Sequence, residues 1–206
     1  MLSTRKMKIG LDFDDVLINF NNGLALFHNR YYGTSYAREH ITKFQFTDLW
    51  KCSADEALRR MREFVRSPHH REVTPIEGAV DAIATLEKFC DLFIITARDE
   101  VIQHQTTSLL GTHFTVESFK EIHFLHRNDV NVLGTKGDTC LRLGVELLVE
   151  DALHNALDVA NVGTRVLLLD TPWNQDDNLH PLIKRVFSWE EVVKEILLLQ
   201  QISSVS

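Results

Sequence analysis

The sequence predicts an α/β fold: a parallel sheet with helices on both faces, three layers in all, and a small helical segment inserted after the first strand. Three observations carry this. Short apolar runs alternate with segments of helical periodicity, polar groups follow each run, and residues 18–75 break the alternation.

The four clear runs are Lys8–Leu11, Asp91–Ile95, Val145–Val149 and Arg165–Leu169. The last three carry LFII, ELLV and VLLL, the near-continuous hydrophobicity of strands buried on both faces. Glu121–Leu125 is a fainter fifth. Between them, Glu77–Phe89 places Val80, Ile83, Ala84 and Leu86 on one helical face. Ala152–Ala160 groups Ala152, Ala156, Val159 and Ala160, and Trp189, Val192, Val193, Ile196 and Leu197 repeat at helical spacing. Residues 18–75 lack a buried strand and read as two helices, Phe20–Tyr31 and Ala54–Arg66, joined by KFQFTDLW. In the second helix Ala54, Leu58, Met61 and Val65 share a face opposite the charges. Phe44, Phe46 and Trp50 are expected to pack as this segment's own core. The predicted division is a core domain of residues 1–17 and 76–206 and a helical cap of residues 18–75.

The chain has 206 residues, 44% hydrophobic, with a net charge of -7. An acidic balance argues against a nucleic-acid polymer as partner but not against a small anion held by a metal and local cations. Cys52, Cys90 and Cys140 are widely spaced without a CxxC pair, which predicts a reducing compartment, the cytoplasm. No run approaches the ~18 apolar residues of a membrane span, so no membrane partner is expected.

The chemistry gathers where the strands end. Asp12, Asp14 and Asp15 follow the first, Thr96 and Arg98 the second, Glu150 and Asp151 the third, Asp170 and Thr171 the fourth. Ligands of open parallel sheets bind at that edge. Three carboxylates within DFDDVL repel one another, and burial raises the cost of each ionised form. Such a hard-oxygen set, with Asp151, suits Mg²⁺. A carboxylate beside a metal-bound phosphate is an able nucleophile, a second carboxyl can donate and withdraw a proton, and a Thr hydroxyl and a Lys ammonium can hold phosphoryl oxygens. Thr96 and Lys136 are available for that last task. His123 and His126 form a weak HxxH signal for a transition metal, and His69 and His70 read as a solvated loop. Arg98 is open to pairing with Asp99 or Glu100 or to reaching the substrate. Pro172-Trp173-Asn174 follows the last run as a cleft wall or as packing.

Read in order, the chain resembles the haloacid dehalogenase (HAD) superfamily of phosphohydrolases. The motifs are Asp12-Phe13-Asp14-Asp15-Val16-Leu17, Thr96 behind LFII, Lys136 opening the helix Lys136–Leu143, and Glu150-Asp151 behind ELLV. The insertion after the first motif resembles a C1-type cap, and the chain is most similar to the 5'(3')-deoxyribonucleotidase-like proteins. The resemblance implies a Rossmann-like, HAD-like sheet and an aspartyl-phosphate mechanism. Asp12 would be the nucleophile and Asp14 the general acid/base. Mg²⁺ would be held by Asp12, the Asp14 carbonyl and Asp151, with Glu150 as a supporting acid. Thr96, Ala97 and Lys136 would bind phosphate, and Phe20 and Arg98 would face the substrate. Three positions depart from the pattern: Asp15 stands for the usual Gly, Ala97 for a hydroxyl residue and Glu150 for Asp. The implied activity is dephosphorylation of a (deoxy)nucleoside monophosphate, with a sugar phosphate or other small metabolite as the alternative substrate. A non-catalytic Mg²⁺-binding regulatory relative is a further alternative, and the implied assembly is a monomer or homodimer. A phospho-accepting receiver domain uses similar groups in another order, with the acidic pair first, and has no such cap.

Overall fold

The computed structural model describes residues 5–43, 46–127, 131–132 and 134–203. Its centre is a seven-stranded sheet in the order β4-β3-β2-β1-β5-β6-β7. The strands are β1 (Met7–Leu11), β2 (Cys90–Asp99), β3 (Phe119–Arg127), β4 (Asn131–Val132), β5 (Leu147–Glu150), β6 (Arg165–Leu169) and β7 (Ile183–Val186). Six run parallel, and only β4 is antiparallel, to β3. The chain builds outward from β1 through β2 and β3, then crosses back and builds the other way through β5, β6 and β7. That reversal opens a crevice at the carboxyl end of β1, the expected position of a ligand site in such sheets.

Helices α1 (Phe20–Tyr32), α2 (Thr47–Trp50) and α3 (Ala54–Arg66) fill the insertion between β1 and β2. Helices α4 (Ala79–Leu86), α5 (Gln103–His113), α6 (Lys136–Leu143), α7 (Leu153–Asn161) and α8 (Trp189–Ser203) cover the sheet. One buried cluster takes in Phe27, Trp50 and Phe64 of the insertion together with Leu11, Leu92 and Trp189 of the sheet and its helices. A second, including Phe93, Cys140, Leu148 and Val159, lies on the opposite face. Among the described residues no helix is long and apolar enough to cross a membrane.

The insertion leaves and returns at one place. Ile18 and Pro75 form an antiparallel bridge, the Asn19 amide donates to the Thr74 carbonyl at 2.8 Å, and the Ile76 amide donates to Leu17 at 3.0 Å. Its interior is a stack of rings. Phe46 lies 4.6 Å from Trp50, Trp50 lies 4.5 Å from His28, and His28 lies 4.7 Å from Tyr32. Phe46 and Trp50 are thus core residues, and Phe44 falls outside the described residues.

Several sequence expectations shift. α4 is shorter than Glu77–Phe89, and its buried face is Ala79, Ala82, Ile83 and Leu86, leaving Val80 40% exposed. Gly78, at φ 79°, sets where the helix begins and so which residues turn inward. β2 runs on through Thr96, Ala97 and Arg98 to Asp99, so these residues belong to the strand and do not follow it. α5 and β7 carry no clear apolar period: QHQTTSLLGTH is mixed, and IKRV lies at a sheet edge with two charged residues in the middle.

The Trp189 indole donates to the Val16 carbonyl at 2.9 Å in a buried bond joining α8 to the loop after β1. Trp189→Phe removes that donor and leaves a buried acceptor, an expected loss of ~1–3 kcal/mol in urea unfolding; unchanged stability would show that α8 does not brace the loop. In the ring stack the His28 Nε2 accepts from Arg60 Nη1 at 3.0 Å, so the ring is neutral and Nδ1 donates to Thr34 at 2.8 Å. Burial, with Arg60 adding to it, lowers its pKa to about 4. A folded pKa below the unfolded value of ~6.5 gives stability that is complete above pH ~6.5 and is lost as pH falls towards 4. The destabilisation caused by His28→Ala, read as a difference in Tm, should therefore shrink steadily from pH 7 to pH 4.5. A difference constant with pH would contradict the neutral, buried ring.

Candidate active site

β1 and β5 are neighbours, paired in parallel from Ile9–Leu147 to Leu11–Val149. Asp12 on one and Glu150 and Asp151 on the other therefore emerge side by side. Their carboxylate oxygens lie within 4.8 Å of one another, and all three residues are buried. The Asp12 amide donates to the Val149 carbonyl at 3.0 Å, and Leu17 and Ile18 both bond back to the Phe13 carbonyl, which fixes the loop DFDDVL against the sheet. Asp15 takes the left-handed conformation there, φ 54°. Asp tolerates this region better than most side chains, which explains how it occupies a turn that favours Gly.

Lys136 at the start of α6 supplies the counter-charge. Its ammonium bonds Asp12 Oδ1 at 2.8 Å and Glu150 Oε2 at 2.6 Å, and the residue is 2% exposed. Glu150 also accepts from the Ala152 amide and Asn155 Nδ2, so both its oxygens are committed within the protein. One ammonium does not balance three carboxylates. Burial and the neighbouring acids raise Asp12 to about 7 and hold Asp151 well above the ordinary carboxylate range, while burial with Asp14 beside it raises Asp15 to about 8. The ion pairs with Asp12 and Glu150 raise Lys136 despite its burial. An all-oxygen set with unbalanced negative charge is the donor chemistry of a hard divalent cation. Asp12 and Asp151, which both line the cleft, fit it.

Asp151 is held from the β6 side. The Trp173 indole donates to its Oδ2 at 2.7 Å, and Asn174 Nδ2 donates to its carbonyl at 2.6 Å. Arg185 fixes Asn174 in turn, at 2.6 Å. The loop Pro172-Trp173-Asn174 therefore packs behind Asp151 and orients it without lining the cleft. Trp173 also carries the Arg38 guanidinium 4.8 Å over its ring, and Arg38 lies 3.7 Å from Asp15. Asp15 accepts the Asn21 amide as well. The α7 cap is Ala152 without a side-chain bond, so Asp151 is not spent on capping.

Asp12, Asp14, Asp15 and Asp151 border a cleft of about 460 Å³. Asp12, Asp14, Asp151, Thr96, exposed Ala97 and Arg98 lie on it, as does Phe20. Thr96 is buried, and its hydroxyl accepts the Arg98 amide at 3.2 Å. Lys136 does not line the cleft but stands behind Asp12. One wall comes from α3: Leu58, Met61 and Val65 of the stripe read from the sequence line the cleft together with Arg62 and Arg66, Ala54 of that stripe does not, and Ala57 and Phe64 turn to the core. Val101 and Ile102 form the opposite side. Arg98 reaches Asp14, and the loop reading of His70 is overturned: the residue is 1% exposed and meets Arg98 at 3.1 Å. Thr106 and Asn155, which bond Arg98 and Glu150, carried no signal in the sequence, because a hydroxyl or amide side chain on a helix does not show which buried group it meets.

A parallel sheet reversing at β1, an acidic strand-end cluster and a helical insertion over it define a haloacid dehalogenase-type phosphohydrolase. The chain belongs to the family described as 5' nucleotidase, deoxy (pyrimidine), cytosolic type C protein, which it matches over residues 5–202. It is a phosphatase of the nucleotidase class. A nucleotidase from Clostridium acetobutylicum is 26% identical over 189 residues, covering 91% of this chain and 92% of that protein. Among solved structures, a haloacid dehalogenase-like hydrolase from Streptococcus pneumoniae superposes with a TM-score of 0.69 at 16% identity, covering 93% of this chain and 98% of that one. The HAD-hydrolase YfnB from Bacillus subtilis, in a form bound to magnesium, gives 0.63 at 16%, covering 94% and 99%. At such identity the two structures establish the fold alone.

Lys136→Met should cost ~3–5 kcal/mol in urea unfolding, because it leaves Asp12 and Glu150 buried without their cation. A loss below ~1 kcal/mol would mean that the acids are not held by this ammonium.

Proposed function

We propose that the protein is a Mg²⁺-dependent phosphomonoesterase that hydrolyses (deoxy)nucleoside monophosphates through a phosphoryl group carried on Asp12. The observation that carries this reading is the buried acidic set Asp12, Glu150 and Asp151, of which Asp12 and Asp151 line a cleft that Phe20, Leu58, Met61 and Val65 also border. Asp12 and Asp151, with the Asp14 carbonyl, would hold the cation, and Glu150 would support them. Bound Mg²⁺ supplies charge compensation for the carboxylates and polarises a phosphoryl oxygen.

Asp12 attacks phosphorus as the ester P–O bond breaks, and Asp14 gives its proton to the leaving oxygen. Water then attacks the phosphorylated Asp12, Asp14 takes up the proton, and inorganic phosphate departs. Lys136 keeps Asp12 oriented from behind. Thr96 and the Ala97 amide meet the remaining phosphoryl oxygens. Phe20, with the α3 stripe of Leu58, Met61 and Val65, offers the flat apolar surface that a nucleobase covers and a sugar phosphate does not. Residues 18–75 act as a cap restricting the site to small substrates. The free cysteines Cys52, Cys90 and Cys140 support a cytoplasmic location.

The test is phosphate release from a panel of nucleoside monophosphates and sugar phosphates, with and without Mg²⁺. A deoxynucleoside monophosphate should be the preferred substrate, chelation should stop turnover, and Asp12→Asn should reduce it to background. Asp14→Asn should lower kcat by ~10²–10⁴-fold. Hydrolysis of sugar phosphates alone would overturn the substrate assignment, and metal-independent turnover would overturn the mechanism.

A further inference from the structure

Arg98 takes no part in the chemistry above, yet it is the most thoroughly held side chain of the cleft. Its side chain is 4% exposed. Nε donates to Asp14 Oδ2 at 2.8 Å and Nη2 to Asp14 Oδ1 at 2.7 Å, a two-pronged pair. Nη1 donates to the Thr106 hydroxyl at 3.1 Å, and Nη2 also meets His70 Nε2 at 3.1 Å. The rings of Phe13 and Phe20 lie 4.7 Å and 5.3 Å from the guanidinium carbon. Arginine has no acceptor, so His70 Nε2 must accept and the imidazole is neutral with its proton on Nδ1. Burial and the adjacent guanidinium keep it so, holding its pKa at about 4.

The contacts come from separate parts of the chain. Phe13 and Asp14 lie in the loop after β1, Phe20 opens α1, Thr106 lies on α5, and His70 lies in the turn Pro68–Glu72 by which the insertion returns. A guanidinium gripped on every edge cannot turn to a substrate without breaking a two-pronged ion pair away from bulk water. What it can do is fix the plane of the Asp14 carboxyl, whose side chain is 26% exposed and borders the cleft.

We propose that Arg98 is a positioning residue for Asp14, held in its working orientation by His70 and Thr106, so that the Asp14 carboxyl is aimed at the leaving oxygen. This rests on Asp14 being the acid of the proposed mechanism. A carboxyl carrying a proton still accepts from Arg98 with one oxygen, and the other oxygen delivers the proton. That proton passes to the ester oxygen as its bond to phosphorus breaks and the Asp12 oxygen–phosphorus bond forms. An aim wrong by an ångström is enough to slow such a transfer by ~10²-fold.

The consequence is selective. A nucleoside alkoxide is a poor leaving group and needs the proton, whereas p-nitrophenolate departs without it. The experiment measures kcat and KM for a nucleoside monophosphate and for p-nitrophenyl phosphate in the wild type, Asp14→Asn, Arg98→Met, Arg98→Lys and His70→Ala. Asp14→Asn should lower kcat on the nucleotide by ~10²–10⁴-fold and on the aryl ester far less. Arg98→Met should follow the same pattern with smaller amplitude, in kcat and not in KM. Arg98→Lys, which keeps the charge but loses the fork, should fall between Met and wild type, and His70→Ala should shift the ratio of the two kcat values in the same direction. That ratio does not depend on the fraction of enzyme folded, so partial unfolding of a variant leaves it readable. If Asp14→Asn is selective and Arg98→Met slows both esters equally, or raises only KM, Arg98 packs or binds substrate and the inference falls alone. If Asp14→Asn is itself unselective, the acid role of Asp14 falls and the inference with it.

Discussion

A lysine ammonium sealed between two carboxylates organises this molecule. Lys136 reaches Asp12 at the end of β1 and Glu150 at the end of β5, with less than a tenth of any of the three residues exposed. Placing like charges on adjacent strand ends costs free energy unless something opposes them, and a buried cation does so only with good geometry. That requirement ties the register of β1 with β5 to the position of α6. It also leaves a surplus of negative charge on Asp12 and Asp151, facing the cleft. The same surplus that strains the resting site is what would make it receptive to a divalent cation and then to a phosphate.

Around this charge cluster the protein builds supports from several separate elements. Trp173 and Asn174 hold Asp151 from the β6 side, and Arg185 holds Asn174. Arg38 of the insertion spans the Trp173 ring and the Asp15 carboxylate. Asp15 accepts the amide of Asn21 in the first turn of α1. The insertion is thus tied to the acids by its own side chains as well as by the paired linkers at Ile18 and Pro75. Supports of this kind fix the orientation of reacting groups, which matters more to rate than the presence of the groups.

Most of the frame could be read from the chain. LFII, ELLV and VLLL announced buried strands because both faces of the sheet are covered. DFDDVL, Thr96 and Glu150-Asp151 pointed to one edge because each closely follows or ends a strand, and Lys136, which opens α6, joined them through the family pattern. The α3 stripe Leu58, Met61 and Val65 was legible as a face but not as a face on a cleft, since helical period does not say what a face meets. β7 hid because an edge strand whose two middle residues are Lys184, exposed, and Arg185, turned to Asp170 and Asn174, shows little hydrophobicity. His70 looked like part of a solvated polar turn, and only the fold brings it against Arg98. For Arg98 the sequence offered Asp99, Glu100 or the substrate, whereas the fold gives it Asp14, 84 positions away.

The account stands on Asp12 becoming covalently phosphorylated. Enzyme mixed with a deoxynucleoside monophosphate and Mg²⁺, quenched in acid within the first turnover and digested, can be examined by mass spectrometry. The account predicts a phosphoryl adduct on the peptide containing Asp12, absent from Asp12→Asn and from metal-free enzyme. Steady turnover with no adduct on that peptide at any quench time, together with undiminished activity in Asp12→Asn, would contradict it.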